Sequence, residues 1–267
     1  TKPVFEKLLC EEGYNAIVTT GGIQSNHCRA MAVLAAKNKW KCHLVYHGDK
    51  KLFYREKGNA LLVRKLPATV EFVGVDEISN AMDRAMRNYK HSGDKPFYVT
   101  GGGHDLPGGI AYVRAVKDLY EECEKVNWKP DVIFHASGTG STQAGIIAGL
   151  AKVGWGDVDV VGISVARKKE RGVEVIEEFL SVLTKHLNLP DQSEKIIFNT
   201  DYLYGGYEQF IPAMKDWLNM IMKETGVFFD TTYSGKALWG MYNILMKEYH
   251  NKKILFWHTG GLMNLMK

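Results

Sequence analysis

Four short stretches combine hydroxyl, amide and glycine residues in patterns able to hold an anionic ligand. The first is TTGGIQSNHC over residues 19–28. A β-rich run ends there, two glycines turn the chain, and Ser25 and Asn26 fall where a helix begins. The unpaired amides of a helix N-terminus, with the positive end of its dipole, favour an anion. Ser25 and Asn26 add donors suited to a carboxylate. An ordinary N-cap needs one polar residue, whereas Gln24, Ser25, Asn26 and His27 supply four. The second stretch is SGTGSTQAG over residues 137–145, directly after the apolar run 131–136. Its small residues let backbone amides approach an anion, and the helix that follows aims its N-terminus at it. A nucleotide P-loop would close on Gly-Lys-Ser/Thr, and no lysine stands here. A dinucleotide loop would place glycine at position 143, which is Gln143, and an acid about 20 residues on. The chain instead runs into Ser164, Ala166 and Arg167. The loop therefore reads as a cup for a phosphate monoester.

The third and fourth stretches, DTTYSGKA at 230–237 and HTGG at 258–261, carry hydroxyls and glycine at the ends of β-like or loop segments. Open α/β sheets bind ligands at such ends. Taken alone, Tyr233 fits equally a packed core tyrosine with a satisfied hydroxyl. Lys2 by composition is an exposed charge. His43 and His47 lie about 13 Å apart if they share a strand, too far for one metal ion. Cys10, Cys28, Cys42 and Cys123 show no metal-like spacing and read as reduced thiols.

The elements that must position these residues alternate. Strands are expected at 15–20, 42–46, 69–73, 97–99, 131–136, 158–164, 196–199 and 253–257. Helices are expected near 25–38, 51–63, 77–92, 109–125, 141–153, 169–187, 210–225 and 234–249. Repeated βα units imply parallel sheets with helices on both faces. The Asn127–Pro130 segment divides the pattern into two α/β halves, 3–126 and 127–267, although the order of strands is not readable. A net charge of +4 spread along 267 residues suggests no nucleic-acid surface. The longest apolar runs are too short to span a bilayer. Both ends look cut, so the cytoplasm is the default location, with an organelle open if a leader precedes Thr1.

In combination, GGIQSNHCRAMAVLAAK, AYVRAV (111–116), SGTGSTQAG, TTYSGKA and ILFWHTGG resemble the aminocyclopropane-carboxylate deaminase and D-cysteine desulfhydrase family of pyridoxal-phosphate (PLP) enzymes. They occur in the family's order from Lys2 to Gly261. The resemblance implies a tryptophan-synthase β-like fold of type II: two parallel-sheet α/β domains with PLP in the cleft between them. The smaller domain would be 3–126 and the larger 127–267, part of whose N-terminal portion lies outside this sequence, with Lys2 at the junction. It implies that Lys2 carries the cofactor as a Schiff base. Ser25 and its neighbouring amides would take the substrate carboxylate, with Asn26 against the cofactor's phenolic oxygen and His27 beside the substrate. The amides of Gly138, Thr139, Gly140, Ser141 and Thr142 would hold the phosphate. Tyr207 and Tyr233 would stand by the substrate, and Thr259 and Ser234 near the pyridine nitrogen. The partner implied is a small amino acid, and the assembly a homodimer.

Family members that open the cyclopropane ring typically read QSNQ and Tyr-Glu, whereas this chain has His27 and Tyr233-Ser234. A neutral hydroxyl withdraws electrons less strongly than a nitrogen kept protonated by an acid. The expectation is therefore a D-cysteine desulfhydrase-like α,β-elimination giving pyruvate, sulfide and ammonia. The alternatives are an aminocyclopropane-carboxylate deaminase giving 2-oxobutyrate and ammonia, or a non-catalytic binder of PLP or another phosphate ligand. His104 and Asp105 lie in a loop expected on the substrate side and depart from the family pattern.

Overall fold

The computed structural model describes residues 2–266. The chain forms two compact units, the first ending at Gly108 and the second running from Gly109 to Leu265.

The first unit is built on four parallel strands: β1 (Ala16–Gly22), β2 (Lys41–His47), β3 (Thr69–Phe72) and β4 (Pro96–Val99), ordered β3-β2-β1-β4. Ala16 pairs with both Lys41 and Pro96, which sets β1 at the centre. Its helices are α1 (Lys2–Glu11), α2 (Asn26–Asn38), α3 (Lys50–Arg55), α4 (Gly58–Arg64) and α5 (Ile78–His91). Successive strand residues face opposite sides, so β1 serves two cores. Ile17 packs with Phe5, Met31, Leu44 and Phe53, while Val18 packs with Val45, Ala81 and Met82. Each fully buried aliphatic contributes about 1.5–3 kcal/mol, enough to fix the register.

The single helix expected at 51–63 is two, α3 and α4, broken at Glu56, whose ψ of 156° is extended. The break is held from outside the segment. Gln24 Nε2 donates to the Glu56 carboxylate at 2.8 Å and to the Lys57 carbonyl at 3.1 Å. Arg64 Nη2 donates to the Glu56 carbonyl at 2.8 Å. Local periodicity carries no trace of such remote donors.

The second unit repeats the plan with β5 (Val132–Ser137), β6 (Asp159–Ser164), β7 (Ile196–Asn199) and β8 (Ile254–Trp257), parallel and ordered β7-β6-β5-β8. Its further helices are α7 (Ser141–Lys152), α8 (Lys169–Leu187), α9 (Pro212–Thr225) and α10 (Ser234–Glu248). Every residue of β5 is buried, as in a central parallel strand covered on both faces. The boundary falls within the first turn of α6 (Leu106–Lys125), earlier than the Asn127–Pro130 segment read from sequence. The reason is close helix packing. A Cβ on Gly109 would lie 2.7 Å from Leu183, one on Gly145 2.6 Å from Tyr112, and one on Gly149 2.7 Å from Val116. Glycine at these contacts lets α6 lie directly on α7 and α8.

In each sheet the strand order reverses beside the first strand, at β1/β4 and at β5/β8. Loops leaving the carboxyl ends of strands at such a point form the ligand crevice of an open α/β sheet. Residues 23–25 follow β1, 100–105 follow β4, 138–140 follow β5 and 258–261 follow β8. Three of the four stretches singled out in the sequence thus lie at switch points.

Candidate active site

In the first unit, the QSNH residues divide their labour. Ser25 caps α2 by accepting from Cys28 N at 3.1 Å, leaving its hydroxyl hydrogen to donate outward. A Cβ on Gly21 would sit 2.7 Å from Ser25 Oγ, so the glycine permits this fold-back. Asn26 Oδ1 accepts from Asn59 Nδ2 at 2.9 Å, and Asn59 Oδ1 accepts from Arg29 Nε at 2.7 Å. That chain turns the carbonyl end of Asn26 inward and presents its NH2. Gln24 is spent on the α3–α4 break. The four polar residues therefore serve a cap, a helix break, an amide presentation and, in His27, a lysine.

Lys2 opens α1, and its Nζ lies 3.1 Å from His27 Nδ1 and 5.4 Å from the centre of the buried Phe5 ring. Burial pulls the amine down to about 8, an effect reinforced by the Arg29 charge and opposed by Cys28 and Asp105. Asp105 is fixed by Thr100, whose backbone N–H donates at 2.8 Å and whose hydroxyl donates at 2.6 Å. Burial raises its carboxyl above the usual range. A lysine amine with a lowered pKa is the group that Schiff-base chemistry requires.

In the second unit, α7 begins at Gly140 with φ 94° and no side-chain cap, so its first amides face the loop without a competing hydroxyl. A Cβ at Gly140 would approach Ile176 to 3.0 Å, while Gly138 meets only Val165, at 3.5 Å. Thr139 Oγ1 and Ser141 Oγ lie 3.1 Å apart. The Arg167 guanidinium donates to the Gly138 carbonyl, and Ser164 Oγ donates to the Arg167 carbonyl at 2.7 Å. The loop thus joins helix-terminal amides, two hydroxyls and a neighbouring positive charge. This donor set fits a phosphate monoester.

Tyr207 and Tyr233 hydroxyls lie 2.5 Å apart. Burial, then the Tyr207 phenol, holds the Tyr233 hydroxyl protonated well above the ordinary phenol range. Tyr207 stands on a loop of left-handed residues, with Gly205 at φ 98°, Gly206 at 136° and Glu208 at 62°. Lys236 fixes that loop: its fully buried Nζ donates to the Leu203 carbonyl at 3.1 Å and the Gly206 carbonyl at 3.0 Å.

Ser234 and Thr259 behave differently. Ser234 is 1 % exposed and its hydroxyl donates to Asp230 Oδ1 at 2.8 Å. Asp230 also accepts from the amides of Thr232, Tyr233 and Ser234 and from Asn264 Nδ2. Ser234 is therefore part of the knot that starts α10 and faces inward. Thr259, at the end of β8, is exposed.

Sequence reasoning passed over Thr19, Arg167, Asp230 and Lys236. Arg167 stood in view immediately beyond β6. The buried role of Lys236 left no local signal.

The chain matches the model of the family described as "Pyridoxal-phosphate dependent enzyme" over residues 3–260. It is 31% identical to a 1-aminocyclopropane-1-carboxylate deaminase of Rhizobium rhizogenes, covering 92% of this chain and 76% of that protein. It is also 31% identical to a bifunctional D-cysteine desulfhydrase/1-aminocyclopropane-1-carboxylate deaminase, named as mitochondrial, of Arabidopsis thaliana, covering 94% of this chain and 65% of that one. A crystal structure of an aminocyclopropane-carboxylate deaminase homologue superposes with a TM-score of 0.87 at 27% identity, covering 98% of this chain and 81% of the other. A Thermus thermophilus threonine deaminase shares the fold alone, with a TM-score of 0.64 at 13% identity. The chain belongs to the pyridoxal-phosphate-dependent enzymes, and within them to the lyase and deaminase group of the aminocyclopropane-carboxylate deaminases and D-cysteine desulfhydrase.

Proposed function

We propose that this protein deaminates 1-aminocyclopropane-1-carboxylate to 2-oxobutyrate and ammonia. The observation that carries the reading is the pair of phenols, Tyr207 and Tyr233, in hydrogen-bond contact at 2.5 Å. Opening a cyclopropane needs a nucleophile or an acid at the ring, and two phenols sharing a proton supply one or the other. This reverses the ranking expected from sequence, which rested on His27 and Ser234. Ser234 is turned onto Asp230, and His27 is engaged by Lys2 and Thr19, so neither discriminates as expected. The names of the relatives support the same order.

PLP, when bound, supplies the electron sink at Cα. The residues of this chain do the rest. Lys2 carries the cofactor and, once displaced by the substrate amine, removes and returns a proton as a neutral amine. Ser25 and the amides beside it orient the substrate carboxylate, Asn26 directs its NH2 at the phenolic oxygen, and the 138–142 loop takes the phosphate. Tyr233 and Tyr207 hold a proton for the carbon released from the ring.

The second reading, α,β-elimination from D-cysteine, is favoured by the absence of an acid at position 234 and by the name of the Arabidopsis relative. In both readings the substrate is a free small amino acid, and we read the assembly as a cytoplasmic homodimer. The deciding assay incubates the PLP-loaded protein with aminocyclopropane carboxylate and, separately, with D-cysteine. 2-Oxobutyrate from the first, lowered about 10²–10⁴-fold in Tyr233→Phe, is the expected result. Pyruvate and sulfide from D-cysteine with no 2-oxobutyrate would reverse the order.

A further inference from the structure

The environment of His27 fixes which ring nitrogen carries its proton. Thr19 Oγ1 lies 2.8 Å from the Val99 carbonyl oxygen, which can only accept, so the single hydroxyl hydrogen of Thr19 is committed there. The same oxygen lies 2.8 Å from His27 Nε2 and must accept from it. Nε2 therefore bears the hydrogen, and Nδ1 presents a lone pair to Lys2 Nζ at 3.1 Å. The opposite tautomer would set two acceptors against each other at Thr19 and two donors against each other at Lys2. Both ends of the chain agree.

Packing keeps the ring in place. Gly103, in the loop after β4, lies flat against it; a Cβ there would stand 3.6 Å from Nδ1 and Cε1. Burial, then the charge of Lys2, holds the imidazole neutral well below its usual titration range. The Val99 carbonyl cannot pass a proton on, so the Thr19 end is closed to proton exit. His27 is thus an acceptor rather than a shuttle.

We propose that His27 is a positioning residue for Lys2: locked by Thr19 as the Nε2–H tautomer, it aims the Lys2 amine through its Nδ1 lone pair. This rests on Lys2 being the cofactor-bearing lysine. The charged or titratable groups facing the amine are Cys28 and Arg29 from α2 and Asp105 from the loop after β4. His27 adds the one directional contact.

The test has two arms, both begun on cofactor-free protein. Long-range 1H–15N spectra of 15N-histidine protein, with His27 assigned by its loss in His27→Gln, read the tautomer. The expected result is Nε2–H at neutral pH, shifting toward a mixture in Thr19→Val and returning in Thr19→Ser. The second arm follows the rate at which added PLP forms its visible band, as a function of pH. Without the acceptor the Lys2 ammonium loses stabilisation, so in His27→Leu the midpoint falls below the parent value of about 8. The plateau rate drops roughly three- to tenfold, the equivalent of one ordinary hydrogen bond. His27→Gln, whose amide oxygen can accept, recovers part of both effects. An Nδ1–H or charged His27, or a His27→Leu profile matching the parent, would overturn the proposal. Failure of the cofactor reading is distinct: the parent would form no visible band, while the tautomer signal would be unaffected.

Discussion

At the scale of single residues, the site is a set of groups whose protonation is set by burial. Lys2 shows this most directly. In the unfolded chain its amine keeps a proton to about 10.5, whereas in the fold it loses it near 8. Between those values the unfolded state binds more protons, so stability rises with pH. The cost of burying the charge is full below about 8 and absent above about 10.5. Lys2→Met removes that cost. Cofactor-free Lys2→Met should therefore be more stable than the parent at pH 7, by on the order of 1–3 kcal/mol. The gain should shrink as pH rises toward 10.5, as urea titrations at both pH values will show. A gain independent of pH would mean that the amine is not perturbed. Nothing in the composition marks Lys2 for this role; it was legible only through the ordered motifs that follow it. Ser25 and Asn26 were legible as donors at a helix start, but their partners, Cys28 N and Asn59, were not. Asn59 lies 33 residues beyond Asn26, outside any local pattern.

At the scale of elements, the loops are set by buried side chains reaching across them. Lys236 is the clearest case, a fully buried lysine on α10 that tethers the 203–206 loop by two carbonyls. Burial lowers its amine to about 8, an effect opposed by Asp230. Lys236→Met leaves both carbonyls without this donor. The expected outcome is faster hydrogen exchange over residues 203–209 and a lower kcat, because Tyr207 is no longer held against Tyr233, while the cofactor band is retained. Loss of stability should be about 1–3 kcal/mol, the cost of unsatisfied buried groups. A variant with unchanged exchange but lost activity would place Lys236 in the chemistry instead. All eight strands were legible, because short apolar runs rich in β-branched residues and bounded by turn residues announce buried parallel strands. The break between α3 and α4 was not, because Gln24 and Arg64 impose it from elsewhere.

At the scale of the whole molecule, two units carry the same strand plan, and each uses its own switch point. One presents an amine, a carboxylate-oriented hydroxyl and an amide; the other presents a phosphate cup and a pair of phenols. The repetition of βα units made the fold class readable. The division at Gly108 rather than near Asn127 was not, since it depends on three glycines at helix contacts, two of them well downstream in α7. The central claim is that Lys2 bears the cofactor. Lys236 is a real competitor, being buried with an amine lowered to a similar value. The direct test is to load the protein with PLP, reduce with borohydride, digest and locate the pyridoxyl group by mass spectrometry. The account predicts the label on Lys2, in the peptide that begins the chain. Label on Lys236, or on no lysine, would contradict it.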